Sequence, residues 1–366
     1  MRYSALLLLF FFLVACGKDD HIDDPIIQEE EELYFPPLVG NTWERKSLAT
    51  LEWDSTASLD LENYLASNGT RAFIILQNGR IVMERYWGNN ITNTSSFQEN
   101  SLWYWASAGK TLTAFLVGIA QEENLLSIED KSSDYLGQGW TNMSLAQENN
   151  IKIKHQLMMT TGLDYTAADL DCTDDTCLVY LNEPGTQWYY HNAPYTLLES
   201  VVANASSETY NAFTDSRIEA KTGMDGTWIQ QDYLNVYWST ARDAARFALL
   251  LLADGTWDGT PVLSDQTYLN QMRNTSQNLN ESYGYLTWLN GKPSIIYPGL
   301  ASPLGLQLSP NAPADLYTGM GKNGQFIEVV PSLNLVVIRM GEAPDNSLVP
   351  TQFHDDMWLR IKAMWE

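Results

Sequence analysis

Trp103-Tyr104-Trp105-Ala106-Ser107-Ala108-Gly109-Lys110 runs straight into Thr111-Leu112-Thr113-Ala114-Phe115-Leu116-Val117-Gly118-Ile119-Ala120. Ten residues without a charge predict a buried helix from Thr111 to about Glu123. Ser107 and Lys110 stand three apart, so on a helix they share one face and nearly one height. A serine hydroxyl is a poor nucleophile until a neighbouring base takes its proton. A lysine becomes that base when burial lowers its pKa. Amides in the first helical turn favour negative charge developing beside the serine. Ser-x-x-Lys is a short pattern that also occurs on exposed helices. Its weight here comes from the apolar helix it opens, the aromatics before it and two companions downstream.

The chain has 366 residues and 45% hydrophobic content, enough for a large core in one or two domains. Arg2, the apolar run Ala5 to Val14 and the close Leu13-Val14-Ala15-Cys16 read as a signal segment over residues 1–15. The run is shorter than the ~20 apolar residues a spanning helix needs. Its last four residues resemble a bacterial lipobox, in which the cysteine is lipidated. The expectation is a lipoprotein held to a membrane of the cell envelope through Cys16; an ordinary cleaved signal with a chance cysteine is the alternative. Residues 16–42, with the acidic run Glu29 to Glu32, read as a flexible tether. A folded body is expected over 43–366, with a sheet lobe from 43–105 and 235–366 and a helical lobe over 106–234. The formal net charge of -24 excludes nucleic acid as a partner, which needs a basic face.

Along the body, Leu59 to Ser67 has helical spacing. Arg71 to Gln77 and Arg80 to Trp87 flank Asn78-Gly79, a strong hairpin signal. Leu125 to Tyr135 and Ile151 to Met159 read as short helices, and another runs from Ala193 to about Val202. Thr240 caps the amphipathic helix Ala241 to Leu252, and Gly255 ends it. Strands return at Tyr283 to Asn290, Gly324 to Val330 and Leu335 to Met340, before a terminal helix from about Gln352 to Trp365. Strands at both ends around a helical middle predict an α/β (α+β) fold: one antiparallel sheet built from both chain ends, flanked by helices, with an inserted helical lobe. A groove between sheet and lobe is then the natural pocket. Cys172 and Cys177, five apart in a polar segment of an exported chain, are expected to form a disulfide. A metal site is the competing reading, disfavoured without nearby histidines.

The first companion of the serine is Tyr190-His191-Asn192, after the turn at Pro184-Gly185. A tyrosine beside a lysine ammonium can act as a phenolate base, and Asn192 can fix the lysine or a substrate amide. His191 is expected to face away, and His155 to be structural. The second is Thr318-Gly319-Met320-Gly321-Lys322-Asn323-Gly324-Gln325, whose glycines let a backbone pass close to a ligand and offer an amide to an oxyanion.

Together these motifs resemble the penicillin-recognising serine hydrolases: class C β-lactamases, D-alanyl-D-alanine carboxypeptidases and related esterases, in which Ser-x-x-Lys recurs. The likeness is greatest to the 6-aminohexanoate-dimer (nylon-oligomer) hydrolases and spans about Arg71 to Met340, in order. It implies a β-lactamase-like fold, Ser107 as nucleophile, Lys110 as its base partner, Tyr190 as the proton shuttle and Asn192 as the asparagine of the same motif. The backbone N–H groups of Ser107 and Lys322 are then the oxyanion donors. It implies no metal and no organic cofactor. On the third strand β-lactamases carry Lys or His, then Thr or Ser, then Gly; here Gly319, Met320 and Gly321 stand in those places. That departure points away from penicillins and toward a small-molecule amide or ester. A β-lactamase or carboxypeptidase acting on cell-wall peptides, and a non-catalytic envelope binding protein with the same fold, remain the alternatives. Strand alternation places the Lys322 side chain off the pocket.

Overall fold

The computed structural model describes residues 31–366. The signal segment, Cys16 and most of the expected tether lie outside the described residues.

At the predicted hairpin, Asn78 (φ 49°) and Gly79 (φ 78°) both adopt left-handed backbone, the geometry a two-residue turn between twisted strands requires. They join β1 (Thr70–Gln77) to β2 (Arg80–Tyr86). A Cβ on Gly79 would stand 1.9 Å from the Tyr34 carbonyl oxygen, because the start of the body folds back over this turn. Tyr34 N–H donates to the Asn78 carbonyl (3.0 Å), Phe35 packs edge-on against Trp257, and Arg246 donates to the Pro37 carbonyl (2.8 Å). The compact unit therefore runs from Leu33 to Glu366. A tether reaching residue 42 is corrected on that point: Tyr34 and Phe35 supply apolar surface that the body buries.

Helix α1 (Ser55–Ser67) starts at the Asp54 cap, whose carboxylate accepts from Thr56 N–H at 2.6 Å. Strand β3 (Trp103–Tyr104) leads through a 3-10 turn, Ala106–Ala108, into α2 (Gly109–Glu122). Every residue from Gly109 to Ala120 is buried, as the uncharged run predicts. Leu112, Phe115, Leu116 and Val117 have no exposure, and each contributes about 1.5–3 kcal/mol by leaving water. The hairpin β4 (Gly226–Gln231) and β5 (Leu234–Ser239) joins β3 in a three-stranded sheet, ordered β3-β5-β4. The expected lobe boundary at 234/235 falls inside this hairpin, so it divides nothing.

Helix α3 (Ala241–Leu252) opens on the capping box of Thr240 and Asp243. A small hairpin, β6 (Thr256–Trp257) and β7 (Thr260–Pro261), follows. The chain then returns to the main sheet with β8 (Trp288–Leu289), β9 (Tyr317–Gly321), β10 (Gln325–Val330) and β11 (Leu335–Gly341), and ends on α4 (Thr351–Lys362). The predicted strand Tyr283 to Asn290 is reduced to two residues. Leu286 has φ 49° and Gly284 passes under the Met272 carbonyl, which breaks the extended run. Spatial order in the main sheet is β2-β1-β11-β10-β9-β8, with every pairing antiparallel. The N-terminal hairpin thus sits beside the last strand, the sheet expected from both chain ends. Strands β9, β10 and β11 are buried at every position, which requires cover on both faces. Helix α3 lies across β1, β10 and β11, and α1 packs with α4.

Candidate active site

Ser107 occupies the 3-10 turn just before α2, and that turn is clamped from two directions. Trp105 N–H donates to the Tyr237 carbonyl (2.9 Å), and its indole N–H donates to Ser239 Oγ (2.9 Å). On the other side Gly319 and Gly321 of β9 face the turn. A Cβ on Gly319 would meet the Ala108 carbonyl at 2.8 Å, and one on Gly321 the Trp105 carbonyl at 2.6 Å and Ser107 N at 3.1 Å. Ala106, immediately before the serine, is held at φ 48°. A non-glycine residue keeps such a backbone only where its surroundings over-determine it.

One helical turn later, Lys110 Nζ lies 2.9 Å from Ser107 Oγ. The lysine is 3% exposed. Burial pulls its pKa down to about 7, against the opposing pull of the Asp171 charge. Its Nζ lies over the Tyr195 ring at 4.1 Å and the Tyr190 ring at 5.0 Å, contacts that favour the charged form. Near neutrality Lys110 therefore exists in both protonation states, and its neutral amine is able to accept the serine proton.

Tyr190 lines the same cavity as Ser107 and Lys110, so three predicted residues converge. Its electrostatics differ from expectation: burial pushes the phenol above its ordinary pKa. Desolvation dominates, so Tyr190 stays a neutral phenol and the phenolate base is corrected. Trp288 stacks on its ring at 5.8 Å, and Trp188 and Tyr283 flank it at 6.4 Å. Asn192 reaches the site but not the lysine. Its side-chain Nδ2 donates to Asp171 Oδ1 at 2.7 Å, and its side-chain Oδ1 is buried with no partner. His191 is buried and drawn down to about 4, chiefly by burial, in a separate small cavity with Thr161 and Tyr165. His155 accepts from Lys152 N–H (3.1 Å) at a helix start.

These groups open into a cavity of about 550 Å³. Its walls are largely apolar and aromatic: Tyr104, Tyr189, Tyr195, Leu234, Val236 and Trp238. Gly319, Met320 and Gly321, the expected substrate-binding strand, are all buried, and Gly319 and Gly321 back the serine turn. Lys322 and Asn323 line the cavity. Strand alternation cannot place Lys322, because β9 ends at Gly321 and the chain turns over Lys322–Gly324, with Asn323 at φ 65°. The exposed Lys322 side chain therefore sits at the cavity, contrary to the register expectation. Asn323 Nδ2 donates to Tyr104 OH (2.8 Å), tying this turn to β3.

Cys172 and Cys177 are joined, closing a loop whose preceding residues Leu170 and Asp171 form part of the wall. Asp171 and Tyr195 escaped the sequence reading. The signal for Asp171 was its place beside Cys172; Tyr195 lay five residues after Tyr190, inside a helix. Among the described residues no cluster of His, Cys, Asp or Glu is gathered to hold a metal, and no helix is long and apolar enough to cross a membrane.

An uncharacterised protein of Alkalihalophilus pseudofirmus is 24% identical over 303 residues, covering 74% of this chain and 83% of that one. Penicillin-binding protein 4* of Bacillus subtilis is 26% identical over 177 residues, 44% of this chain and 37% of that longer protein. A solved structure of a candidate 6-aminohexanoate-dimer hydrolase from Bacillus anthracis superposes with TM-score 0.67 at 16% identity, covering 90% of this chain and 89% of that one. The sequence from residue 64 to 346 matches the Beta-lactamase family, and by that match the chain belongs to the beta-lactamase family of hydrolases.

Proposed function

We propose that this protein is a serine hydrolase that cleaves an amide or ester bond through an acyl-enzyme on Ser107. The observation that carries this is the 2.9 Å approach of a buried, depressed-pKa Lys110 to the Ser107 hydroxyl. Lys110, as the neutral amine, takes the Oγ proton as Oγ bonds to the substrate carbonyl carbon. The oxyanion that forms faces the N–H groups of Ser107 and Lys322. Tyr190, a neutral phenol at the same cavity, hands its proton to the leaving nitrogen or oxygen and recovers one from Lys110. Water then attacks the acyl carbonyl by the same route in reverse and restores Ser107.

The wall favours a substrate whose acyl or leaving group is apolar and uncharged, since Tyr104, Leu234, Val236 and Trp238 offer it contact area. Lys322 at the cavity supports a second reading, a carboxylate-bearing substrate such as a penicillin or a cell-wall peptide. We place the enzyme at the cell envelope, tethered through a lipid on Cys16. The deciding experiment is labelling by a fluorophosphonate probe with and without Ser107→Ala. Stoichiometric labelling that the substitution abolishes supports the acyl-enzyme; labelling that survives it overturns Ser107 as the nucleophile, and none in the wild type points to the non-catalytic binding protein.

A further inference from the structure

Asp171 is the one carboxylate among the described residues that line the cavity shared by Ser107 and Lys110. It is pinned in place. Asn192 Nδ2 donates to its Oδ1 at 2.7 Å, its own N–H donates to Asp169 Oδ1 at 2.9 Å, and the preceding Leu170 carbonyl accepts from Ala193 N–H at 2.9 Å. The next residue, Cys172, is buried and bonded to Cys177. Farther along, Asp174 accepts from Tyr233 OH at 2.7 Å, fastening the loop to the β4–β5 hairpin across the cavity. Five constraints thus converge on a residue that makes no direct ion pair with the lysine.

We propose that Asp171 is a positioning residue for Lys110: its carboxylate, held at the cavity wall by Asn192 and the Cys172–Cys177 loop, sets the balance between the amine and ammonium forms of the lysine. This rests on Ser107 and Lys110 being the reacting pair. Burial alone drives a lysine toward the neutral form, while a negative charge held nearby restores part of the ammonium population. Because Asp171 acts at a distance, Nζ keeps its one short hydrogen bond for Ser107. The arrangement holds the base near neutrality, where a general base is most effective.

The other groups facing Lys110 do not supply this charge. Tyr190 and Tyr195 are neutral phenols whose burial raises them above their ordinary pKa. Tyr104 and Tyr189 line the wall, and Lys322, which also lines it, carries the opposite sign. Glu199 lies behind Tyr195, and burial raises its carboxyl. His191, beside Asp171 and Asp164, is drawn down to about 4 and stays neutral above it.

The test is the pH dependence of two rates, kcat/KM on a neutral aryl ester and Ser107 labelling by a fluorophosphonate, for wild type, Asp171→Asn, Asp171→Glu and Asp174→Asn. Asp171→Asn keeps the hydrogen-bonding shape and removes the charge. Its acid limb is expected to move to lower pH by about half a unit to one unit, the scale of one neighbouring charge, with Asp171→Glu and Asp174→Asn staying at the wild-type position. Asp171→Ser repeats the measurement if the Asn variant does not fold. A lowered plateau with the limb unmoved makes Asp171 merely structural and overturns the inference, while wild-type labelling still upholds the acyl-enzyme. A wild type that is not labelled at Ser107 overturns both.

Discussion

Gly321 passes so close to the serine turn that a single methyl on its α-carbon would lie 2.6 Å from the Trp105 carbonyl oxygen. Backbone meets backbone there, so no side chain can swing aside. The residue that ends β9 therefore sets the height of the turn carrying Ser107. Gly321→Ala is expected to push the two apart, destabilising the fold by about 1–3 kcal/mol. Ester turnover should fall by roughly a hundredfold, the scale of losing one oxyanion donor. Thermal unfolding and kcat on an aryl ester check it together. Near wild-type kcat in a folded Ala variant would falsify the claim that this contact positions the serine.

The depressed pKa of Lys110 gives the pH dependence its sign. In the proposed mechanism the working form is the neutral amine, so kcat/KM on an uncharged ester should rise with pH and level off above about 7. Below that value the slope is about tenfold per unit, one proton per active base. Stability runs the same way. From pH 7 up to the ordinary lysine value near 10.5, the unfolded chain holds a proton that the folded chain has lost, so stability increases with pH across that window. Lys110→Met is therefore expected to be inactive yet more stable than wild type at pH 7, with the advantage gone near pH 10.5. Denaturant unfolding at the two pH values is the measurement. A Met variant less stable at both would mean that the lysine is held charged.

Which of these features the chain announces follows from how local their causes are. Asn78-Gly79 fixes its hairpin because both residues adopt positive φ cheaply. Thr240 and Asp243 fix the start of α3 because the capping box is satisfied within four residues. Ser107 and Lys110 meet because a helix brings residues three apart together. The hairpin β4–β5 carries no such signal: its turn is Asp232-Tyr233, without glycine, and it depends on Trp228 and Tyr237 packing at 5.1 Å. Asp171 and Tyr195 come to the cavity of Lys110 from separate elements, which no local pattern encodes. Lys322 was misplaced because strand alternation was carried one residue past the end of β9.

The Cys172–Cys177 bond closes only a short loop, and the chain-entropy contribution of so short a loop is about 2 kcal/mol. Its larger effect should be on the wall it braces, because Leu170 and Asp171 precede it and line the cavity. The double variant Cys172→Ser/Cys177→Ser is expected to fold, with KM for a bulky aryl ester raised several-fold and kcat changed less. Steady-state kinetics on bulky and small esters separates the two effects. Mass spectrometry of the unreduced wild type should find the pair oxidised. Two freely alkylatable thiols in protein from an oxidising compartment would remove the basis of this expectation.

The last prediction concerns Lys322 and the choice between neutral and carboxylate-bearing substrates. Penicillin-type substrates carry a carboxylate beside the reacting carbonyl, and a buried, charge-assisted hydrogen bond to it contributes about 1.5–3 kcal/mol. The positions on β9 that would supply a cation and a hydroxyl are Gly319 and Met320, which are buried and have neither. Lys322 brings a cation to the same cavity, but from an exposed turn. An exposed ion pair is worth about 0.2–1 kcal/mol, less than one decade at 1.4 kcal/mol per decade. Lys322 is therefore too weak a grip to reverse the preference. The neutral aryl ester should exceed nitrocefin in kcat/KM by at least about tenfold at matched leaving-group reactivity, and Lys322→Ala should lower the nitrocefin rate by less than about tenfold. Nitrocefin preferred in the wild type, with that preference lost in Lys322→Ala, would show that the turn after β9 has taken over the carboxylate site and that the second reading is the correct one.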